Sequence, residues 1–435
     1  MIIVDKALKK REFEGHPIQV GIVGAGYMGR GIALQIIQNI PGMRVAAISN
    51  RTLKKATQAY GQAGVSSVRT VSSVSALDKL VGIGEYAITE NAELLCNSSN
   101  IDVIIEATGT VEFGSKIALK SIKNSKHIVL MNAELDATLG PILKTYANRE
   151  GVIITNADGD QPGVVMNLYR FVKTIGYNPI VVGNIKGFLD HYRTPETQAE
   201  FARKYNQGTK MITAFADGTK LAMEQAVIAN GTGHGVAKRN MYGPSCAHVR
   251  DALDVLPLQE LRSDGGVVDF ILGAEPGPGV FVVGYNDNEL LRQYGTVFKM
   301  GKGPFYVFYV PYHLPHLETP LTAARVVLFG DATITPLGAP VADVFAVAKK
   351  DLKAGEQIDG IGGFACYGMI DNADVVRREN LLPMGLANNC RLTRDINKDH
   401  PIPRDAVERP PDRLSDQLRH EQDEYFSEVG PHVIS

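Results

Sequence analysis

Short apolar runs broken by glycine alternate with helical spacing over the first part of the chain, beginning at Val20-Gly21-Ile22-Val23. That run passes directly into Gly24-Ala25-Gly26-Tyr27-Met28-Gly29, and apolar residues then recur at helical spacing over 31–40. Pro41-Gly42 stops the helix, and Met43–Ser49 reads as a second strand. Residues 1–17 read as a polar arm, 52–60 as a helix stopped by Gly61, and 64–100 as an insertion in which the βαβ rhythm loosens. Strands follow over 101–107, 127–131 and 152–155, with a helix over 141–149. A strongly amphipathic helix over 164–175 marks a crossover into a second domain with strands at 180–185, Val267–Leu272, 280–283 and 305–309. Helices are expected from Thr194-Pro195 to Gly208 and from Asp217-Gly218-Thr219 onward. From about Pro340 the texture changes to short strands and tight turns, at 344–348, 352–356, 384–386 and 397–403. After Pro410-Pro411 the tail is highly charged, either helical or disordered. The pattern predicts an α/β chain with a Rossmann dinucleotide-binding domain at 1–162. An α+β catalytic and dimerisation domain at 163–339, a small β-rich domain at 340–410 and a polar tail at 411–435 follow.

The glycine stretch is a G-x-G-x-x-G fingerprint between strand and helix, the context in which it binds a dinucleotide. Gly24, Gly26 and Gly29 allow the turn, the approach of a pyrophosphate and close helix packing, with Ala25, Tyr27 and Met28 between them. A site for NAD expects an acidic residue at the end of the second strand. This chain has Asn50-Arg51 there, and no Asp or Glu between Gly15 and Leu77. Arg51, backed by Lys54 and Lys55, suits a 2′-phosphate and favours NADPH, unless the three are an ordinary solvated helix start. Ligands of a doubly wound sheet lie beyond the carboxyl ends of its strands. Thr108, Gly109 and Thr110, and then Asn132 and Glu134, are accordingly expected near the nicotinamide.

With 435 residues the chain is too long for one core, and 44% hydrophobic residues, 21% charged residues and a net charge of −2 describe a globular protein. No basic excess points to nucleic acid, and no apolar run approaches the ~18 residues of a membrane span. Cys96, Cys246, Cys366 and Cys390 are widely separated, as in reduced cytoplasmic proteins.

The fingerprint, the strand Asp-Val-Ile-Ile-Glu-Ala-Thr-Gly ending at Gly109, and the stretch from Ala216-Asp217-Gly218-Thr219-Lys220 to Asn230 together resemble the homoserine-dehydrogenase-like oxidoreductases with a C-terminal SAF domain. The turn Lys353-Ala354-Gly355-Glu356 and the run Leu392-Thr393-Arg394-Asp395-Ile396 are similar to the SAF pattern. Within that group the chain looks most like 1-deoxy-D-xylulose 5-phosphate reductoisomerase-like enzymes. The resemblance implies NADPH-dependent formation of 2-C-methyl-D-erythritol 4-phosphate in the methylerythritol phosphate pathway of isoprenoid biosynthesis, from a small phosphorylated sugar. Where ordinary reductoisomerases have Ala-Asn-Lys-Glu, this chain has Met131-Asn132-Ala133-Glu134. Their metal-holding acidic pair has a counterpart in Asp158 and Asp160, to which Glu224 would add a third oxygen ligand for Mg²⁺ or Mn²⁺; the other reading is a solvated Asp-Gly turn. Lys220 and Glu224 share a helix face, while Lys186, His191, Arg193, Lys210 and Asp217 are candidates for binding phosphate or moving protons, as is His234. A homodimer is expected by analogy. An aldehyde reductase resembling homoserine dehydrogenase and a non-catalytic NADPH-binding regulator are the alternatives.

Overall fold

The computed structural model describes residues 4–429, which fall into two compact units. The first contains the chain up to Asp160 together with Leu314–Thr335 and Gln417–Glu424. Its sheet has seven parallel strands, β1 (Ile18–Val23), β2 (Met43–Ser49), β3 (Arg69–Thr70), β4 (Ala87–Thr89), β5 (Val103–Glu106), β6 (His127–Leu130) and β7 (Ile154–Asn156), in the order β3-β4-β2-β1-β5-β6-β7. Strands β1, β2, β5 and β6 are buried almost throughout, which explains why they read as largely apolar runs rather than alternating ones. Ile22, Ile48, Ile105 and Val129 meet in the core under the helix Tyr27–Asn39.

Four expectations need correction here. The stretch 64–100 is not an insertion: β3 and β4 extend the sheet beyond β2, but at two and three residues they are too short to leave a periodic signal. The N-terminal arm holds a helix, Val4–Phe13, that buries Val4 and Leu8. The helix placed at 141–149 begins at Ala133, because the Asn132 side chain accepts from Leu135 N at 3.1 Å and caps it, and Pro141 lies inside. The segment 314–335, assigned to the second domain, returns to the first: helix Pro315–Phe329 buries Ala323 and Ala324 in its core, and Ile334 bridges to Asn156. A contiguous boundary cannot express such a return.

The second unit comprises Gln161–His313 and Pro336–Asp416, with the end of the chain. Its sheet joins β8 (Asn178–Lys186), β9 (Val267–Leu272), β10 (Gly279–Tyr285) and β11 (Phe305–Val310) in the order β11-β10-β8-β9, with β8 and β9 parallel and the other pairs antiparallel. The helices Gln161–Thr174 and Thr219–Thr232 pack on it. The single helix expected over 194–208 is a short one, Ala199–Lys204, followed by a second at Thr209–Ala216.

The β-rich region is present as two two-stranded pairs, β12 (Ala342–Ala348) with β13 (Cys366–Asn372) and β14 (Arg391–Leu392) with β15 (Val407–Glu408). It is part of the second unit rather than a separate body, since β12 and β13 pack on helix Thr219–Thr232 and Gly368 N donates to Thr219 Oγ1 at 2.8 Å. The charged tail forms a helix, Leu414–Val429; its residues 417–424 join the first unit, where Gln422 Oε1 accepts from Ile142 N at 3.2 Å. The last six residues lie outside the described ones. Among the described residues no helix is long and apolar enough to cross a membrane.

Candidate functional site

The fingerprint makes its turn as expected. Gly24 has φ +106°, and a Cβ there would lie 2.8 Å from Ala107 O. A Cβ at Gly29 would strike Gly24 O at 1.9 Å, whereas one at Gly26 would meet nothing within 4 Å. The packed glycines draw helix Tyr27–Asn39 against the strand, and the open one leaves room for a ligand. No side chain caps that helix, so its first N–H groups have no side-chain acceptor and suit an anion. These features fit a pyrophosphate.

Asn50 braces the turn instead of reaching outward: its Oδ1 accepts from Ala25 N at 3.0 Å and its Nδ2 donates to Thr52 O at 2.9 Å. Arg51, Lys54 and Lys55 are exposed and form no ion pair among the described residues. They remain available to an anionic group. Tyr27 is exposed, its ring edge-on to His316.

At the carboxyl end of β5, Glu106 is fully buried and gathers the two expected loops. Its Oε1 accepts from Thr108 N at 2.9 Å and from Thr108 Oγ1, and its Oε2 accepts from Asn132 Nδ2 at 2.7 Å. Asn132 Nδ2 also donates to Thr110 O at 3.1 Å. Thr108, Thr110 and Asn132 are therefore drawn together, while Glu134 is buried in the first turn of the following helix. Glu106 went unremarked as a site residue, although an acidic residue ending an otherwise apolar strand was a usable signal.

The acidic pair behaves differently from expectation. Asp158 Oδ2 accepts from Arg325 Nη1 and Thr333 Oγ1, each at 3.1 Å, and its backbone N donates to Thr322 Oγ1 at 2.6 Å. Gly159, at φ +84°, is a glycine because a Cβ would lie 2.6 Å from Leu314 O. Both arginine and carboxylate are buried, so the guanidinium already supplies the positive charge that a cation would bring. Asp160 is buried as well. Among the described residues no group of three or more His, Cys, Asp or Glu side chains could hold a metal. Asp158 thus fits an internal tether rather than a ligand for Mg²⁺ or Mn²⁺, and Glu224 belongs to the other unit with partners of its own.

Those partners form the strongest polar cluster of the second unit. Glu224 Oε2 accepts from Lys186 Nζ at 2.8 Å and from Asn184 Nδ2 at 2.9 Å. Gln161 Oε1 accepts from the same two donors, and Gln161 Nε2 is anchored on Gly279 O at 2.7 Å. Lys186 keeps 18% of its side chain exposed whereas Glu224 keeps 1%, so the lysine is the more accessible member of the pair. Lys220, one turn before Glu224, is buried.

Asp217 and Lys349 form a second, structural pair. Asp217 Oδ1 accepts from Thr219 N at 2.9 Å, which fixes the start of the helix carrying Lys220 and Glu224. Its Oδ2 accepts from Lys349 Nζ at 2.7 Å, and that ammonium also donates to Arg193 O and Gly363 O. Burial pushes the Asp217 carboxyl up, and Lys349 pulls it back. Lys349 went unpredicted because its partner lies 132 residues away. His191 Nδ1 is 2.7 Å from Asp217 O and its ring stacks on Tyr367, while the Arg193 side chain pairs with Asp190 at 3.0 Å. Lys210 is exposed, with Nζ donating to Asp359 O, and is not gathered into either cluster. Half-buried His234 sits edge-on to Tyr169, with its pKa lowered by burial.

Residues 18–131 match the model of the Gfo/Idh/MocA oxidoreductase family, NAD-binding Rossmann fold. The first unit is thus similar over that stretch to the NAD-binding Rossmann domains of oxidoreductases. Residues 159–319 match the model described as oxidoreductase DRL, catalytic domain. A homoserine dehydrogenase of Synechocystis is 23% identical over 230 residues, covering 49% of this chain and 48% of the relative, so the match spans about half of that curated protein's length. Among solved structures, a probable dehydrogenase from Thermotoga maritima is 13% identical, with 72% of this chain and 90% of that one covered at a TM-score of 0.42. An apo scyllo-inositol dehydrogenase from Lactobacillus casei is 12% identical, with 73% and 89% covered and a TM-score of 0.43.

Proposed function

We propose that this protein is an NADPH-dependent reductoisomerase that converts 1-deoxy-D-xylulose 5-phosphate into 2-C-methyl-D-erythritol 4-phosphate. The observation that carries the reading is the Lys186–Glu224 pair, a half-buried ammonium beside a buried carboxylate, held between two amide side chains. Rearranging a hydroxyketone requires a proton to leave a hydroxyl and return to an oxygen, and it requires positive charge at the carbonyl. In this reading Glu224 accepts the hydroxyl proton, Lys186 polarises the carbonyl oxygen, and Asn184 and Gln161 keep both groups oriented. NADPH supplies the hydride when bound. Gly24–Gly29 and the uncapped helix start take its pyrophosphate, and exposed Arg51 takes its 2′-phosphate.

The match to the oxidoreductase DRL catalytic domain spans both Lys186 and Glu224 and supports an oxidoreductase role for this stretch, without distinguishing the substrate. A second reading, an NADPH-dependent aldehyde reductase, is favoured by the local likeness to a homoserine dehydrogenase. NADPH oxidation with 1-deoxyxylulose 5-phosphate, compared with aspartate semialdehyde, separates the two. The expected result is turnover of the sugar phosphate, lost in Lys186→Met and Glu224→Gln while NADPH still binds. Turnover of the semialdehyde alone overturns the first reading in favour of the second, and turnover of neither leaves a nucleotide-binding protein without this chemistry.

A further inference from the structure

Glu106 ends β5 and stands in register with Val23, the residue before the glycine turn, on the neighbouring β1. The strand order reverses at this pair, since β1 lies between β2 on one side and β5 on the other. The crevice at such a reversal is where an open parallel sheet receives its ligand. A carboxylate buried there is costly unless its charge is answered. Its three hydrogen bonds all come from donors, Thr108 N, Thr108 Oγ1 and Asn132 Nδ2, and a group surrounded by donors alone is suited to the ionised form. Yet no Lys, Arg or His side chain forms an ion pair with it among the described residues.

The charged groups on the surrounding elements do not answer it either. Glu134, on the helix after Asn132, adds repulsion, and Asp136 on the same helix is turned to Asn156. On helix Val111–Lys123, Glu112 and Lys116 pair with each other at 3.0 Å. On helix Pro315–Phe329, Arg325 is committed to Asp158 and Asp331, Glu318 accepts from Leu314 N, and His316 faces Tyr27. His127, at the start of β6, accepts from Ile153 N. Burial, followed by Glu134, pushes the Glu106 carboxyl up while its donors pull it back, so its charge is sensitive to a nearby cation.

We propose that Glu106 is a positioning residue of the nicotinamide site that holds the 108–110 turn to Asn132 and whose negative charge favours the oxidised, cationic nicotinamide ring over the reduced, neutral one. This depends on nicotinamide binding alone and not on which carbonyl compound is reduced. Ionisation of Glu106 and binding of NADP⁺ then support each other, so NADP⁺ gains on NADPH as pH rises and loses that advantage as the carboxyl protonates. Both cofactors carry the same 2′-phosphate, and its own titration cancels in the ratio of their dissociation constants.

The test is the ratio Kd(NADP⁺)/Kd(NADPH), measured by equilibrium binding across the whole pH range in which the protein stays folded. In the wild type it should fall by roughly threefold to tenfold, the range for a charge pair in a partly screened site. In Glu106→Gln the ratio should be flat, with NADPH still bound. Calorimetry of the wild type in two buffers of different ionisation enthalpy should show more protons released by NADP⁺ than by NADPH, a measurement that needs no folded variant. A flat wild-type ratio, equal proton release for the two cofactors, or an unchanged slope in Glu106→Gln overturns the proposal, whether or not the protein reduces a sugar phosphate.

Discussion

Replacing Arg325 by Met tests whether Asp158 is an internal tether. The guanidinium donates to Asp158 Oδ2 at 3.1 Å and to Asp331 Oδ2 at 3.0 and 2.5 Å, and the Asp158 side chain is only 2% exposed. The loss toward Asp331 counts for little, because that side chain is 39% exposed and water replaces the contact. Asp158 instead becomes a buried carboxylate that has lost its guanidinium, with Thr333 still donating to Oδ2. Removing one partner of a buried pair costs about 3–5 kcal/mol, and the surviving Thr333 bond puts the expectation near the low end, at about 3 kcal/mol. The chain has no Trp, so urea unfolding is best followed by far-ultraviolet circular dichroism. Adding Asp158→Asn removes the stranded charge and should recover on the order of 2 kcal/mol. If Arg325→Met unfolds within about 1 kcal/mol of the wild type, or the second change brings no recovery, the pair is not the tether described.

Arg51→Asp should weaken NADPH by on the order of 2–4 kcal/mol while leaving NADH far less affected, because the 2′-phosphate loses charge-assisted bonds and meets repulsion; a binding titration showing equal losses contradicts the assignment. Asp136, buried on the helix after β6, is pushed by burial from 3.8 up to about 7, softened by Asn156. Its unfolded form ionises first, so stability should fall as pH rises between those values and level off above about 7, by up to ~4 kcal/mol, and Asp136→Asn should flatten that part of the unfolding profile. Gln422→Leu removes the side-chain acceptor of the buried Ile142 N–H and should cost about 1–2 kcal/mol in a thermal melt, whereas a truly dispensable tail loses nothing.

The dinucleotide half was legible because its information is local. A strand, a glycine turn and a helix start lie within about twenty residues, and the packing that demands Gly24 and Gly29 involves Ala107 and the turn itself. Strands β2 and β9 also emerged at their observed limits, since each is a bounded apolar run. What escaped was set by contacts distant in sequence. The β3 and β4 strands are held by neighbours rather than by their own pattern. Helix Pro315–Phe329 looks like any other helix until Ala323 and Ala324 are seen buried in the first core. Pro141 was a plausible helix start, and only the Asn132 cap shows that the helix began earlier.

The same distinction governs the candidate site residues. Asp158, Asp217, Glu224 and Glu106 are all acidic, all buried, and all placed at element ends or on helix faces where function is a reasonable inference. Their partners separate them. Arg325 reaches Asp158 from 167 residues away and Lys349 reaches Asp217 from 132, and each pair is spent on holding the chain to itself. The Glu224 partner, Lys186, is the most exposed of the three cations, at 18% against 9% for Arg325 and 3% for Lys349. Glu106 has donors but no cation among the described residues, at the strand-order reversal where open parallel sheets take their ligands. A carboxylate whose cation is itself buried is architecture, whereas one whose cation keeps some exposure, or one with no countercharge among the described residues, is the better candidate for contact with a substrate or cofactor.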